Sequence, residues 1–279
     1  MSESLQMRLN ELAELEGELK VIPLDRLQAL AHEFDLSLRE VELAALEARI
    51  LPRRYLRSFG TVGWEGQIKL LNSTVTVVGL GGLGGNVVEG LARMGVGRLI
   101  LIDGDVFVDH NLNRQILSTE AILGSSKTEV ARARVAQINS ALEVVLHSVQ
   151  ATAETLPRLL KGADVVVDAL DRLPTRLALQ KAAQTLGIPM VHGAIAGYVG
   201  QVMTIFPGDG GLQAFYGEDV PQQGAEVQLG CPAATPMMVS AWQVQETLKI
   251  LLGCGQLLRH KMLFMDAEMG RVEILKVGP

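Results

Sequence analysis

Apolar and polar positions change texture once along this chain, near residue 52. Before it, Leu5, Leu9, Leu12, Leu15 and Leu19 recur at spacings of three and four and predict one amphipathic helix, which Val21-Ile22-Pro23 ends. Asp25 is placed to cap a second helix running through Phe34. Ser37-x-x-Glu40 is a capping box that opens a third, predicted to end near Leu51-Pro52. After Pro52, Arg53-Arg54-Tyr55-Leu56-Arg57 leads through Gly60, Gly63 and Gly66-Gln67 into short apolar runs that alternate with helical patterns. The pattern predicts strands at 75–78, 98–102, 143–149, 164–169 and 189–195, and helices at 84–94, 127–139, 154–161 and 174–187. Alternation of this kind gives a mostly parallel sheet with helices on both faces and a ligand crevice at the carboxyl ends of its strands. A further strand is expected over 198–206, an aperiodic Gly/Pro/Gln-rich loop over 208–232, a helix over 233–252, and strands near 261–266 and 271–277 joined at Met269-Gly270. The expected division is a helical appendage, 1–52, and one Rossmann-like doubly wound α/β domain, 53–279, with a C-terminal antiparallel extension.

Composition narrows this little. With 279 residues and 48% hydrophobic content the chain can bury a large α/β core. No stretch has the length of a membrane span and the N-terminus does not read as a signal peptide, so a cytoplasmic protein is expected. The net charge of −6 belongs to the first 50 residues, where eleven acids face five bases. No basic run suggests a nucleic-acid surface. The two cysteines, Cys231 and Cys254, form no C-x-x-C pair, which excludes a four-cysteine zinc site.

The chemistry gathers around Val75–Gly84, VTVVGLGGLG, where a buried strand breaks into Gly79, Gly81 and Gly84 before a helix. Such a turn leaves backbone NH groups aimed at an anion and reads as a nucleotide-phosphate seat. Asp103 closes the next strand, where an acid receives ribose hydroxyls. Alone, these features favour NAD. Hydride transfer, however, needs no concentration of cations beside the phosphates, whereas phosphoryl or nucleotidyl transfer must neutralise building charge. Asn111-Leu112-Asn113-Arg114-Gln115 follows the acid, Lys127 begins the next helix, and Asp168 and Asp171 follow the strand Val165–Val167, where a carboxylate can hold Mg²⁺.

Taken in order, RYLR, G-x-x-G-Q-x-x-L (Gly63–Leu70), GLGGLG, LIDGDVFVDHNLNRQ, the Lys127 helix and DALD resemble the ThiF/MoeB/HesA family, bacterial relatives of the ubiquitin-activating enzymes. The resemblance implies ATP-dependent adenylation of the C-terminal Gly-Gly carboxylate of a ubiquitin-like sulfur-carrier protein. Gly79, Gly81, Gly82 and Gly84 would then lie at the nucleotide, Asp103 on its ribose, and Asp105 among the nucleotide-binding positions. Asn111, Arg114, Gln115 and Lys127 match phosphate-contacting residues, and Asp171 the Mg²⁺ ligand. Arg57 matches an arginine that reaches the partner's ATP in the family's homodimers. Three departures stand out. Arg172 replaces an asparagine after Asp171. The two C-x-x-C pairs are missing, with Leu212–Tyr216 at the place of the first, so no zinc is expected. Cys231 precedes the 233–252 helix where some members carry a sulfur- or thioester-transferring cysteine, and a helix N-terminus would favour its thiolate. A small buried cysteine before Pro232 is the structural alternative. A small peptide or a modified tRNA base as substrate, a non-catalytic nucleotide-binding scaffold, and an NAD-dependent oxidoreductase remain as other readings of the same fold.

Overall fold

In a computed structural model that describes residues 3–217 and 224–277, the first unit comprises α1 (Glu3–Leu12), β1 (Glu14–Glu16), β2 (Leu19–Ile22), α2 (Leu24–Glu33), α3 (Leu38–Glu47) and β3 (Ile50–Pro52). Leu5, Leu9, Leu27, Leu30, Val41 and Ile50 form its core. The capping box forms as expected, with Ser37 Oγ accepting from the Glu40 NH and Glu40 returning to the Ser37 NH. Asp25 does not cap its helix: it lies in the first turn, behind Pro23.

The single long first helix is corrected. It stops at Leu12, and the next residues form a hairpin in which Glu16 pairs with Leu19 across a turn at Gly17. Gly17 adopts φ +65°, a left-handed conformation that glycine reaches without a Cβ clash. β2 then pairs in parallel with β3, Val21 opposite Leu51, and buries Val21 and Ile22. Leu15 kept helical spacing only by coincidence and is 75% exposed. The appendage is therefore helices plus a three-stranded sheet, and its third helix ends at Glu47 rather than near Pro52.

A 3₁₀ turn at Arg53–Tyr55 leads into α4 (Phe59–Leu71), a helix the glycine-rich sequence does not suggest and which bends at Gly63, φ +68°. There follow β4 (Thr74–Val78), α5 (Gly82–Met94), β5 (Arg98–Ile102), α6 (Lys127–Ile138), β6 (Glu143–His147), α7 (Leu156–Leu159), β7 (Val165–Asp168) and α8 (Leu173–Leu186). The chain continues through β8 (Met190–Ala196), β9 (Val199–Ile205), α9 (Gly211–Tyr216), α10 (Glu226–Leu229), α11 (Ala234–Leu252), β10 (Lys261–Asp266) and β11 (Arg271–Lys276). α9 and α10 are short helices within the expected 208–232 loop; its residues 218–223 lie outside the described residues.

The main sheet has the order β11-β10-β9-β8-β7-β4-β5-β6. β6, β5, β4, β7 and β8 run parallel, and the last three strands add antiparallel. Side chains alternate between the faces as the pleat requires. Leu99 and Leu101 enter one core with α5, α6 and α11, while Ile100 and Ile102 enter the other with α7 and α8. Burial on both faces explains why these strands read as unbroken apolar runs. From β4 the chain first builds outward through β5 and β6, then returns to build β7 and β8 on the other side. That reversal opens the crevice at the carboxyl ends of β4 and β7.

Candidate nucleotide site

The crevice is a cleft of about 900 Å³, open mouth included, and its walls come from the strand ends that the sequence marks. Gly79 leaves β4 at φ +90°; a Cβ there would stand 2.5 Å from the Ala169 carbonyl oxygen, so the turn passes directly against the end of β7. A Cβ on Gly84 would come within 1.8 Å of Gly79 O, so this glycine sets how closely α5 packs behind the turn. Gly81 and Gly82 at the start of α5 face the cleft, where the first NH groups of a helix have no intrahelical partner and attract an anion.

Asp103 sits at the far wall. Its Oδ2 accepts from the Leu80 NH at 2.7 Å and its Oδ1 from the Asp105 NH at 2.8 Å, so the glycine turn and Asp103 are one hydrogen-bonded unit. Burial pushes its carboxyl up, against the opposing charge of Lys127. Asp105 is the converse: partial burial raises it, but the Lys127 ammonium, with help from Gln150 and Arg172, outweighs this and holds it below the usual range. Lys127 Nζ lies 3.1 Å from Asp105 Oδ2, and the buried lysine is thereby held in place at the cleft wall.

The segment after β5 supplies the second cation. Asn111 is buried, accepts from the Val108 NH through Oδ1, and receives the Arg114 and Gln115 NH groups on its carbonyl. It builds the turn and does not line the cleft; Arg114 and Gln115, which it positions, do. Arg114 Nη1 donates to the His110 carbonyl and to Asn113 Oδ1, each at 2.9 Å. Gln115 Oε1 is buried without a hydrogen-bond partner, as is Nε of Arg176, which stands on α8 at the same cleft. Unsatisfied buried polar atoms converging on a cavity are what a polar ligand would satisfy. Gln115 Oε1 is an acceptor and calls for a donor, whereas Arg176 Nε, with Arg114, Lys127 and the NH groups at the start of α5, makes a donor set that fits a nucleotide polyphosphate.

The two aspartates after β7 separate. Asp168 is fully buried, accepts from the Leu170 NH and lies 2.7 Å from His192 Nδ1 on β8. With Gln201 Nε2 3.3 Å from its other nitrogen, His192 is a neutral imidazole donating to the carboxylate; burial pushes its pKa down, against the pull of Asp168. Asp171 is exposed and lines the cleft. Among the described residues no group of three or more His, Cys, Asp or Glu could hold a metal ion. A lone carboxylate suits Mg²⁺, which keeps waters and takes its other ligands from phosphate oxygens.

Cys231 lines the cleft. α11 begins three residues later, with Ala233 as its N-cap, and burial pushes the thiol up despite the nearby Arg114 charge. Arg57 is exposed and lies outside the cleft of its own chain. Arg172 is exposed at the start of α8. Two cleft residues carry no sequence signal: Gln150, just past β6, which donates to Asp105 Oδ1 at 2.8 Å, and Glu226 of α10.

A doubly wound sheet whose switch point gathers a glycine turn, an acid at the end of the next strand and two cations defines a Rossmann-like nucleotide-binding protein. The chain belongs to the ThiF family, whose model matches residues 53–279, and is an adenylyltransferase of that type. It is 38% identical over 209 residues to the SAMP-activating enzyme E1 of Haloferax volcanii, covering 74% of this chain and 77% of that one. It is 36% identical over 214 residues to the sulfur carrier protein adenylyltransferase of Thermus thermophilus, with 74% and 79% covered. The adenylyltransferase and sulfurtransferase MOCS3 of Aedes aegypti is 34% identical over 81% of this chain, which spans only 53% of that protein. Among solved structures, E. coli MccB with MccA-N7isoASN shares the fold, with a TM-score of 0.70 at 23% identity, 81% of this chain and 72% of that one being covered.

Proposed function

We propose that this chain uses ATP and Mg²⁺ to adenylate the C-terminal Gly-Gly carboxylate of a ubiquitin-like sulfur-carrier protein, for later sulfur transfer in cofactor biosynthesis. The observation that carries the reading is the convergence of Arg114, Gln115 and Lys127 with the α5 N-terminus on one cleft beside Asp103. The names of the two relatives of matching length support the substrate class. Asp103 holds the ribose and the NH groups at Gly81–Gly82 hold phosphate oxygens. The carrier carboxylate then attacks the α-phosphorus in line, an acyl-adenylate forms, and pyrophosphate leaves. Arg114 and Lys127 offset the charge that builds on the phosphate oxygens, an effect worth most in a water-poor cleft. Mg²⁺, held by Asp171, would supply further charge neutralisation on the phosphates.

Arg57 does not line its own cleft, and we assign it to the partner's site in a homodimer, on the terminal phosphates. Residues 53–279 would form the adenylating domain and 1–52 an accessory unit, in a cytoplasmic enzyme. Exposed apolar side chains near the mouth, Tyr198, Val227 and Leu229, offer a docking surface for the carrier. Adenylation is reversible, so labelled pyrophosphate should enter ATP only when a carrier ending in Gly-Gly is present. Exchange that ignores the carrier would remove the proposal.

A further inference from the structure

One buried polar cluster takes no part in the cleft. Glu42 on α3 is fully buried, and its Oε2 accepts from the Tyr55 hydroxyl at 2.9 Å. That hydroxyl accepts from Asn139 Nδ2 at 3.0 Å, and Asn139 Oδ1 accepts from Arg54 Nη1. Arg54 Nε closes the circuit as an ion pair, 3.3 Å from Glu42 Oε1, while that oxygen and Arg54 Nη2 are buried without a hydrogen-bond partner. The four side chains form a ring that no single element could make. Glu42 comes from the N-terminal unit, Arg54 and Tyr55 from the 3₁₀ turn, and Asn139 from the C-cap of α6. Asn139 also reaches the Ala92 carbonyl near the end of α5, at 3.3 Å.

Stability alone does not explain such a ring. Taking a carboxylate and a guanidinium out of water costs several kcal/mol per ion, and apolar replacements of similar volume often serve as well. Charged groups that must satisfy one another do restrict the number of arrangements available. Here the restricted segment is the one that carries Arg57. Leu56 NH donates to the Arg53 carbonyl, and both the NH and the hydroxyl of Ser58 donate to that of Tyr55, so residues 53–58 form one tight turn on the buried Tyr55 ring. Arg57 itself makes no hydrogen bond or ion pair among the described residues, so what the turn fixes is the place on the backbone from which its side chain extends.

We propose that Glu42 is a positioning residue of the adenylation site. By locking Arg54, Tyr55 and Asn139 into one arrangement it aims Arg57 of one subunit at the cleft of the other, which makes the N-terminal unit part of the catalytic assembly. The proposal rests on the assignment of Arg57 to the partner's site.

Mixed dimers separate the two ideas. Glu42→Ala should lower carrier-dependent pyrophosphate exchange by about tenfold or more, the scale on which misplacing a catalytic group acts. Its own cleft remains intact, so a dimer with one Glu42→Ala subunit and one Lys127→Ala subunit should regain exchange: the intact cleft receives Arg57 from the subunit whose ring is whole. The Arg57→Ala and Lys127→Ala pair, assayed alongside with the same Gly-Gly carrier, should recover in the same way. If that control recovers while the Glu42 pair stays inactive, or if Glu42→Ala exchanges normally as a homodimer, the positioning role is wrong. If the control fails, Arg57 does not act across the interface and the role of Glu42 falls with it. Should Glu42→Ala fold poorly, Tyr55→Phe removes both hydroxyl links while keeping the ring packing, and is held to the same outcomes.

Discussion

Lys127 is 6% exposed, yet its ammonium ends at the cleft beside Asp105. A buried cation held by one carboxylate is ready to move its attention to a phosphate as negative charge grows there. Its contribution should therefore appear in turnover more than in ground-state binding. Lys127→Ala is expected to bind ATP within about threefold of the wild type, by titration, and to lose about a hundredfold or more in pyrophosphate exchange, the scale of one electrostatic donor. His192 gives a prediction on stability. Its pKa is depressed in the folded protein by burial, below an unfolded value of about 6.5. The unfolded chain thus binds the proton first as pH falls, so the contribution present above pH ~6.5 is lost progressively below it. Thermal melts should show Tm falling from pH 7.5 to 5.5, and His192→Gln should flatten that slope. At this scale the sequence was readable where the cleft residues sit in one continuous motif, as Gly79–Gly82 and Arg114–Gln115 do. It was not readable for Asp168 and His192, which meet only because β7 and β8 pair in a particular register, with Asp168 opposite His192. Nor did it reveal Gln150, which reaches Asp105 from the loop after β6, 45 residues away in sequence.

Among the elements, the parallel strands were legible because burial on both faces forces apolar runs, and the α5 turn because only glycine fits. Gly84→Ala should cost at least about 2 kcal/mol in urea unfolding, since its Cβ would meet the Gly79 carbonyl in a packed turn that cannot move aside. The N-terminal hairpin was misread because leucine spacing is compatible with a helix whether or not the chain stays helical. What decides the matter is non-local: β2 finds β3 some thirty residues later, and that pairing outweighs the local period. The two kinds of leucine should behave differently. Leu9→Ala, fully buried in the α1 core, is expected to cost about 2–5 kcal/mol. Leu15→Ser, on the exposed hairpin, should stay within about 0.5 kcal/mol. α4 escaped notice for the opposite reason: its glycines lower helix propensity, and packing of Leu70, Leu71, Val62, Trp64 and Ile68 into the cores below holds it.

Across the whole molecule, the reversal of strand order places one cleft at the centre of the sheet, and several later elements supply its walls. α6 brings Lys127, α8 brings Arg176, and the segment before α11 brings Cys231 to its edge. The N-terminal unit joins this body through a shared cluster of Val21, Leu46, Leu51, Tyr55 and Leu71, and through the Glu42 ring. A fold with this cleft could serve several nucleotide chemistries; the substrate carboxylate is what distinguishes adenylation of a carrier from the rest. The most direct measurement is pyrophosphate exchange with one sulfur carrier presented in two forms, ending in Gly-Gly and lacking the terminal glycine. The account predicts label in ATP with the intact carrier and none with the truncated one. Equal exchange with both, or none with any Gly-Gly carrier despite tight ATP binding, would contradict it.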